Sequence, residues 1–571
     1  MKNRRSLIAL ILVFTLAAGL LAGCSTLPGR SDSGNASQEP QTAANGQVIP
    51  SDKGNAGGTP AGKPGDEDPS GTPGTDVPGA DVSADARALL RAAAENAAPV
   101  ENGCRPVRYD MDITLDPAAS TIGGTCLVTL ENRTNEPLSE VVFRLYSSAI
   151  TPESRILSVS DPLSSQSDAV FPAAQSVDGS VWTVSLGDSA IAPGATKVLS
   201  LEFVSHIPER EDRFGSHTTG QGIWFGLTFC YPQISLLRDG VWDTDPYYDD
   251  GETEVNEMSD YAVTLHAPAE YVVAASGHQT TEADGTTRIE AENIRELGMV
   301  CCNYFTVTTR TENGVTYHQY CPEDAGLETF CENMLENTIA AVNVYSEHFG
   351  PYIYDELDIV PAYFGSEGSG MEMPGLIMNG MPPKAGQGVQ PAYFESAVTT
   401  VHETAHQWFY CAVGNDQYDE AWIDESFATY ASETLYELEA PEALRSAIDL
   451  DGGGDGYYYG LIDSEDPYQD TISTLRALEG LSQAEWINLP VGEYGDDYDY
   501  YVMAYLVGPC MLYELQHEMG DDVFFAMMQD YCRTYGSRIS TGACFVAKVL
   551  EYDGSEAVED ILLRYLDPAR L

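Results

Sequence analysis

The stretch VHETAHQWFY, residues 401–410, places two histidines four positions apart, with a glutamate directly after the first. On a helix, positions i and i+4 lie on one face about 6 Å apart, so His402 and His406 can direct ring nitrogens at one ion. Neutral imidazoles suit zinc. Glu403 lies one position round the helix, where a general base for a water molecule would stand. The pattern alone is only moderately specific, because backbone or solvent can also satisfy two helical histidines.

A candidate third ligand lies nineteen residues after His406. Glu425 belongs to EAWIDESFATY (420–430) and opens a second predicted helix, whose first turn could face the first helix. Catalytic zinc sites take three protein ligands and leave one position open. A carboxylate at this spacing makes the pattern far more specific and predicts one zinc ion held by His402, His406 and Glu425.

These segments resemble the aminopeptidase N-like gluzincins, the zinc metallopeptidases of family M1. HETAHQWFY is similar to the family pattern HExxHQWFG, and WIDESFATY is similar to WLNEGFASY. The resemblance implies a peptide-bond hydrolase in which the two histidines and Glu425 bind zinc and Glu403 is the general base.

Two further segments are similar to motifs of that family. SGMEMPG (369–375) resembles the GxMEN strand, whose glutamate holds the free α-amino group of the substrate. YLVG (505–508) resembles YxKG, whose tyrosine stabilises the oxyanion, which implies this role for Tyr505. The resemblance to GxMEN implies that Gly370, Met371, Glu372 and Met373 bind the substrate. A structural ion pair is the alternative for Glu372, and Tyr501 lies on the same predicted helix face as Tyr505.

The sequence departs from the family patterns at four positions. Met373 stands for the Asn of GxMEN, Ser369 for its Gly, Ser426 for the Gly after the third ligand, and Val507 for the Lys of YxKG. Only 66 residues follow Tyr505. The chain therefore resembles a short bacterial member without the large helical C-terminal domain, and we expect a more open pocket.

The chain divides into a strand-rich half and a helical half. Between about residues 104 and 312, short segments such as YDMDITLDP (109–117) and DYAVTLHAP (260–268) alternate apolar and polar residues and end in turn formers, which predicts antiparallel strands. No charged or histidine cluster there indicates chemistry, so a binding or supporting role is predicted. From about residue 320 the period is helical: LETFCENMLENTIAAVNVYSEHFG (327–350) predicts a helix that stops at Gly350, and a second helix is predicted from about Ala392 to Gly414.

The predicted fold class is α+β. A β-sandwich-like antiparallel domain is predicted over residues 86–312, followed by a mainly helical peptidase domain over 313–571, which the resemblance implies to be thermolysin-like.

The N-terminus predicts export and a lipid anchor. Three basic residues precede the apolar run SLIALILVFTLAAGLLAG (6–23), and LAGC (21–24) resembles a bacterial lipobox, whose cysteine is acylated after cleavage. Residues 1–24 are predicted to be a lipoprotein signal peptide, with lipidation at Cys24; a transmembrane anchor and a plain secretory signal are the alternatives. Residues 25–85 are rich in Gly, Pro, Ser and Asp and predict a disordered linker. The predicted location is extracytoplasmic, on a bacterial membrane.

The charge balance argues against nucleic acid and anionic lipid heads as partners. The chain has 88 acidic against 28 basic side chains, a formal charge of -60, which repels nucleic acid and anionic lipid heads. Peptide substrates, and the membrane through the lipid anchor, are the predicted partners. Eleven cysteines remain beyond Cys24; Cys321 and Cys331 are candidates for a disulfide, and Cys411 is predicted to be a core residue.

We therefore predict an extracytoplasmic aminopeptidase that removes N-terminal residues from oligopeptides. An open-cleft endopeptidase is the alternative if Glu372 does not meet an amine. A non-catalytic surface lipoprotein on the same scaffold is the third reading, although a scaffold has no need of Tyr505 together with all four residues of the zinc motif.

Overall fold

The computed structural model describes residues 83–164, 170–176, 179–248, 251–323, 326–365, 368–381, 393–436, 486–495 and 497–571. All of them belong to one compact unit. The predicted signal peptide, Cys24 and the linker up to residue 82 lie outside the described residues. Over the part of the chain that is described, no helix is both long enough and apolar enough to cross a bilayer.

The largest sheet has seven strands, and its inner face is built by alternation. In β1 (Cys104–Asp116), the buried residues Tyr109, Met111 and Ile113 are separated by more exposed positions. The strand order is β15 (His278–Thr281), β16 (Thr286–Ile294), β13 (Ser259–His266), β1, β2 (Thr121–Asn132), β7 (Thr196–His206) and β4 (Arg155–Ser160). Neighbours run antiparallel as predicted, except that β1 and β13 are parallel. These two strands are far apart in sequence, so no tight hairpin fixes their direction.

Three smaller sets of strands complete the β-half. One sheet has the order β10 (Gln233–Ile234), β3 (Glu140–Arg144), β6 (Val181–Ser185) and β5 (Ala173–Gln175). Another has the order β14 (Val272–Ala275), β17 (Met299–Cys302), β9 (Ile223–Leu227) and β8 (Phe214–Thr218). A short hairpin joins β11 (Leu237–Arg238) to β12 (Val241–Trp242). The first of these sheets packs against the seven-stranded sheet over a continuous apolar core.

A five-stranded sheet positions the motif strand beside the helices. Its order is β18 (Phe305–Glu312), β19 (Val315–Pro322), β20 (Glu356–Ala362), β22 (Leu376–Gly380) and β21 (Gly370–Met373), so the strand that resembles GxMEN lies at the edge. A second apolar cluster, which includes Trp224 and Val300, packs this sheet against β9 and β17. The predicted division at residue 312 falls in the hairpin between β18 and β19, and it stays a prediction.

Most of the described helices lie after residue 320, where the sequence predicts a 3.6-residue periodicity, and two lie before it. They are α1 (Ala84–Glu95), α2 (Ser147–Ile150), α3 (Glu328–Phe349), α4 (Tyr393–Ala405), α5 (Trp422–Tyr430), α6 (Asp497–Tyr501), α7 (Gly508–Met519), α8 (Asp521–Tyr535), α9 (Gly542–Tyr552) and α10 (Glu556–Tyr565). Two π-helical turns cover Ala431–Tyr436 and Val502–Val507, and two 3-10 turns cover Gly187–Ser189 and Val491–Glu493. The predicted stop of α3 before Gly350 and the predicted α+β fold class are both confirmed.

Helix α4 ends at Ala405, not near Gly414 as the sequence predicts. The buried guanidinium of Arg295 donates hydrogen bonds to the carbonyls of Tyr410 (2.6 Å) and Ala412 (2.9 Å). At Gly414 a Cβ would lie 2.2 Å from the guanidinium carbon. Tyr410 has a positive φ of 96°, outside the helical region, and its carbonyl, which a helix to Gly414 would use in its own ladder, accepts from Arg295 instead.

The N-terminal helix α1 was not predicted, and it packs on the C-terminal helices. Ser83 caps it by accepting a hydrogen bond from the Ala86 amide at 3.1 Å. Leu90 is fully buried. Arg87 and Arg91 both reach Glu559 on α10, with N···O distances of 2.9 and 2.5 Å. The start and the end of the described chain therefore stabilise one another.

All eleven described cysteines are free thiols. The disulfide considered between Cys321 and Cys331 is not formed in this structure. Cys411 is fully buried, as predicted for a core residue, but it lies beyond the end of α4.

Candidate metal and peptide-binding site

Three predicted metal ligands form a nearly equilateral triangle. The two Nε2 atoms of His402 and His406 are 3.1 Å apart, and the Glu425 Oε2 atom lies 3.2 Å from the first and 3.5 Å from the second. Two ligands about 2.05 Å from one ion at a tetrahedral angle would be separated by about 3.3 Å. Two imidazoles and one carboxylate are also a donor set of catalytic zinc sites. The residues present therefore fit a zinc ion.

Local contacts fix the orientation of the second histidine. The Nδ1 atom of His406 lies 3.1 Å from the Phe409 carbonyl, which suits an Nδ1–H donor and leaves the Nε2 lone pair for a metal. His406 is only 1% exposed. The early end of α4 makes this contact possible, because Phe409 lies in the turn that follows the helix.

Glu403 lies against the edge strand β21. The carboxylate is buried, and a Cβ at Gly370 would lie 2.1 Å from its Oε1 atom. Only glycine permits the strand to approach this closely. The structure therefore gives Gly370 a spatial role in accommodating the predicted base.

The two faces of β21 have different environments. Successive side chains of a strand point in opposite directions, so Gly370 and Glu372 share the face toward α4. Met371 and Met373 are on the other face, buried in the apolar cluster behind the sheet. Met373 also packs against Gly298, where a Cβ would lie 2.5 Å from its Cγ atom. Substrate binding by the two methionines stays a prediction, and in this geometry it would rest on main-chain groups.

An amide that sequence reasoning missed holds Glu372. The Gln417 Nε2 group donates to Glu372 Oε1 at 3.0 Å and to Asp424 Oδ2 at 2.9 Å. Asn415 donates to the other oxygen of Asp424 at 2.9 Å. Asp424 directly precedes the third metal ligand, so one glutamine links the predicted amine anchor to the metal-binding helix. Neither motif contains Gln417, and no spacing rule predicts it.

Gln407, which follows the second histidine, anchors the turn after β21. Its Oε1 atom accepts from the Gly375 amide at 2.9 Å, and its Nε2 group donates to the Met373 carbonyl at 3.0 Å. Both polar ends of this buried side chain are satisfied by backbone. This pair of bonds fixes the distance between α4 and the strand that carries Glu372.

Tyr505 lies beside the metal-binding triangle. Its ring stacks over the His402 ring at a centroid distance of 6.1 Å and an interplanar angle of 22°. Burial raises the pKa of Tyr505 well above its ordinary value, and the nearby negative charge of Glu425 raises it further. The ring of Tyr501, the rival phenol, stacks on Tyr505 at a centroid distance of 5.4 Å, and it is the Tyr505 ring that contacts His402. The geometry thus favours Tyr505 as the phenol that faces the metal site.

Carboxyl groups are concentrated around the triangle. Burial raises the pKa of Glu372 and Glu403 well above the ordinary value, and neighbouring carboxylates act in the same direction. For Glu425 burial also acts to raise the pKa, but hydrogen bonds and charge from the two histidines lower it. A cation entering this site would relieve the repulsion among the carboxylates.

The β-half also supplies charged residues next to the site, contrary to the expectation that it carries none of the chemistry. Arg213 and Glu252 form an ion pair, and Arg213 Nη1 lies 3.6 Å from the Met371 sulfur, on the face of β21 that points away from α4. The charge of Glu252 contributes to the raised pKa of Glu372. The acidic run GETEVNE (251–257) was the available sequence signal.

Comparison with known proteins finds a family model that matches part of the chain. Residues 333–565 match the model described as the Peptidase family M1 domain. This part of the chain is similar to a peptidase family M1 domain. The resemblance drawn from the motifs is thereby confirmed, and the matched residues include all four positions of the zinc motif together with Glu372 and Tyr505.

Relatives of the M1 domain share low identity with this chain. The mouse thyrotropin-releasing hormone-degrading ectoenzyme is 23% identical over 318 residues, which cover 55% of this chain and 28% of that protein. Aminopeptidase M1 of Arabidopsis thaliana is 22% identical over 447 residues, which cover 75% of this chain and 46% of that protein. The chain thus spans less than half the length of these curated relatives.

Solved structures show a similar fold. The M1 zinc metallopeptidase from Deinococcus radiodurans aligns with a TM-score of 0.56 at 19% identity, covering 82% of this chain and 96% of that one. A mutant of that protein, bound to the substrate Tyr-Ser-Ala, aligns with a TM-score of 0.54 at 18% identity, covering 82% and 95%.

Proposed function

We propose that this protein is a zinc-dependent aminopeptidase that acts outside the cytoplasm. The observation that carries the proposal is the convergence of a zinc-sized triangle of ligands with Glu403, Glu372 and Tyr505 in one buried site. The M1 domain match and the M1 zinc metallopeptidase structures of similar fold support it.

Zinc bound by His402, His406 and Glu425 would act as a Lewis acid on the scissile carbonyl and would make a water molecule at the site more acidic. Glu403 is the base that takes the proton of the attacking water, and it later delivers that proton to the leaving amine. Its position against Gly370 places it beside the edge strand, along which a peptide substrate would run. The Tyr505 hydroxyl donates a hydrogen bond to the oxyanion that develops at the carbonyl.

Glu372 is the residue that makes the enzyme an exopeptidase. Gln417 occupies one of its oxygens at 3.0 Å, and the carboxylate can pair with the α-ammonium of a substrate through its second oxygen. An ammonium brings positive charge into a site crowded with carboxylates, which strengthens the preference for a free N-terminus. A peptide with a blocked N-terminus offers no such charge.

The location belongs to the same proposal. The lipobox at Cys24 and the linker before residue 83 would tether the peptidase domain to a bacterial membrane, with oligopeptides outside the cytoplasm as substrates. Labelling with a clickable fatty acid should mark the wild type and not Cys24→Ala. Label that persists in the variant would contradict the anchor.

The experiment that tests the activity compares aminoacyl-arylamides with N-acetylated, internally quenched peptides on the full chain. We expect cleavage of the free-amine substrates, loss of cleavage with a chelator, and recovery when zinc is added back. Equal cleavage of blocked peptides would replace the aminopeptidase with an endopeptidase. Failure to cleave either class with zinc bound would leave a non-catalytic M1 scaffold.

A further inference from the structure

Tyr505 lies in the π-helical turn Val502–Val507, where one carbonyl is left without its usual donor. The Gly508 amide donates to the Met503 carbonyl, five residues back. The next residue, Pro509, has no N–H. The Ala504 carbonyl therefore loses both amides that a regular helix or a continued π-turn would direct at it.

The hydroxyl of Ser426 supplies the missing donor from another helix. Ser426 Oγ donates to the Ala504 carbonyl at 2.6 Å, and both residues are buried. The approach requires glycine at position 508, where a Cβ would lie 1.9 Å from the Ser426 Oγ atom. Ser426 directly follows the metal ligand Glu425, and Ala504 directly precedes Tyr505. One hydrogen bond thus joins the backbone at the third ligand to the backbone at the phenol.

We infer that Ser426 is a positioning residue for Tyr505: its hydroxyl fixes the Ala504 carbonyl and thereby holds the phenol beside the metal-binding triangle. The inference rests on the proposed function, because it assigns Ser426 a part in oxyanion stabilisation. Glycine, which the family pattern has at this position, carries no hydroxyl and could not make this bond. The serine at position 426 therefore supplies the donor that the π-turn and Pro509 do not provide to the Ala504 carbonyl.

This role predicts a specific kinetic signature. The phenol interacts with charge that develops in the transition state, so its displacement lowers kcat while KM and metal affinity stay nearly constant. We expect Ser426→Ala to lower kcat on an aminoacyl-arylamide about tenfold, since small misplacements of a catalytic group are costly. Zinc content, measured on the purified protein, should match that of the wild type.

Combining this variant with Tyr505→Phe separates positioning from general damage to the fold. If Ser426 acts through the Tyr505 hydroxyl, Ser426→Ala should lower kcat by less than about twofold once that hydroxyl is absent. A further tenfold loss in the Tyr505→Phe background would overturn the inference, as would wild-type kcat in Ser426→Ala.

Restoring a backbone donor provides the rescue. Pro509→Ala introduces an N–H that can reach the Ala504 carbonyl, so Ser426→Ala/Pro509→Ala should regain kcat to within about twofold of Pro509→Ala alone. A double variant as slow as Ser426→Ala would contradict the proposed bond.

Hydrogen exchange on the metal-free chain gives a readout that does not depend on turnover. Peptides covering residues 502–508 should exchange at least about threefold faster in Ser426→Ala and return toward the wild-type rate in the double variant. If the wild type cleaves no peptide while exchange follows this pattern, the proposed function fails and the link between Ser426 and the Tyr505 turn stands. Unchanged exchange in Ser426→Ala would overturn the link itself.

Discussion

Buried carboxylates in the C-terminal helices and buried carboxylates around the metal-binding triangle are held by different partners. Glu514 accepts hydrogen bonds from Arg564 and from the Tyr565 hydroxyl, and Glu559 accepts from two arginines. At the site, Glu372 accepts from the neutral amide of Gln417. Within the described residues, no Lys or Arg side chain forms an ion pair with Glu372, Glu403 or Glu425.

The difference distinguishes buried carboxylates that have an arginine partner within the chain from buried carboxylates that have none among the described residues. A buried carboxylate with an arginine partner is neutralised by the fold, and its burial cost is largely offset. Burial without a described Lys or Arg partner raises the pKa of Glu372 and Glu403, and neighbouring carboxylates act in the same direction. A divalent metal or a substrate ammonium, which the polypeptide does not supply, would favour their charged forms. Substitutions of the site carboxylates should therefore lower activity, whereas substitutions of the arginine-paired carboxylates should lower stability and leave activity unchanged.

The largest effect is expected for Glu403→Gln. The substitution keeps size and polarity but removes the base, so kcat should fall by about 10³-fold or more. Zinc content should stay at the wild-type level, because all three ligands survive. Equal loss of metal and of turnover would make Glu403 a structural residue.

Glu514→Gln is the matched control for that variant. It removes a buried charge of the arginine-paired group, so we expect a lower midpoint of thermal unfolding with kcat near the wild-type value. A large loss of turnover in Glu514→Gln would erase the proposed distinction between the two groups of carboxylates.

Tyr505→Phe should give the next largest loss. It deletes the hydroxyl aimed at the oxyanion and keeps the ring that stacks over His402. Loss of one such donor typically lowers kcat by about 10²- to 10³-fold, or roughly 2.7 to 4 kcal/mol. KM should change little. Tyr501→Phe is the control. If Tyr501→Phe lost kcat while Tyr505→Phe kept it, Tyr501 would be the residue that donates to the oxyanion.

Glu372→Ala tests whether this carboxylate pairs with the α-ammonium group of the substrate. We expect kcat/KM on free-amine substrates to fall by at least about 30-fold, since each 1.4 kcal/mol of a lost charge-assisted hydrogen bond is tenfold. N-acetylated peptides should be poor substrates of the wild type and no poorer for the variant. Equal losses on both substrate classes would show that the carboxylate does not recognise the amine.

The sequence predicted the residues that make up the site better than the contacts that orient them. The spacing of His402, His406 and Glu425 follows from helix geometry, and alternation predicted the strands that carry the β-half. Gln417 and Ser426 escaped prediction as orienting residues because their partners lie 45 and 78 residues away in the chain. No local pattern encodes contacts across such separations.

The end of α4 was also beyond sequence reasoning, for a related physical reason. The apolar period continues past Ala405, whereas in the structure the carbonyls of Tyr410 and Ala412 accept from Arg295, more than a hundred residues earlier in the chain. Helix α1 (ADARALLRAAAE) is rich in Ala, Leu and Arg, unlike the linker before it, so its composition favoured a helix that was not predicted. Its stability comes from Leu90 and from Glu559 at the other end of the chain.

The smallest effect is expected for Glu559→Gln, which removes one charge from the arginine-paired group. Arg87 and Arg91 remain partly exposed, at 19% and 55%, and can be hydrated when the carboxylate is gone. The free energy of unfolding should therefore fall by only about 1 to 2 kcal/mol, with kcat/KM unchanged.

Hydrogen bonding and charge from the two arginines lower the pKa of Glu559, against the opposing effect of burial. Because the folded-state pKa lies below the unfolded one, the stabilisation is present at neutral pH and is lost as the pH falls through the folded-state pKa. Denaturant titrations of wild type and variant should differ at pH 7 and converge in acid. A difference that persists in acid would show that packing, and not the ion pair, couples α1 to α10.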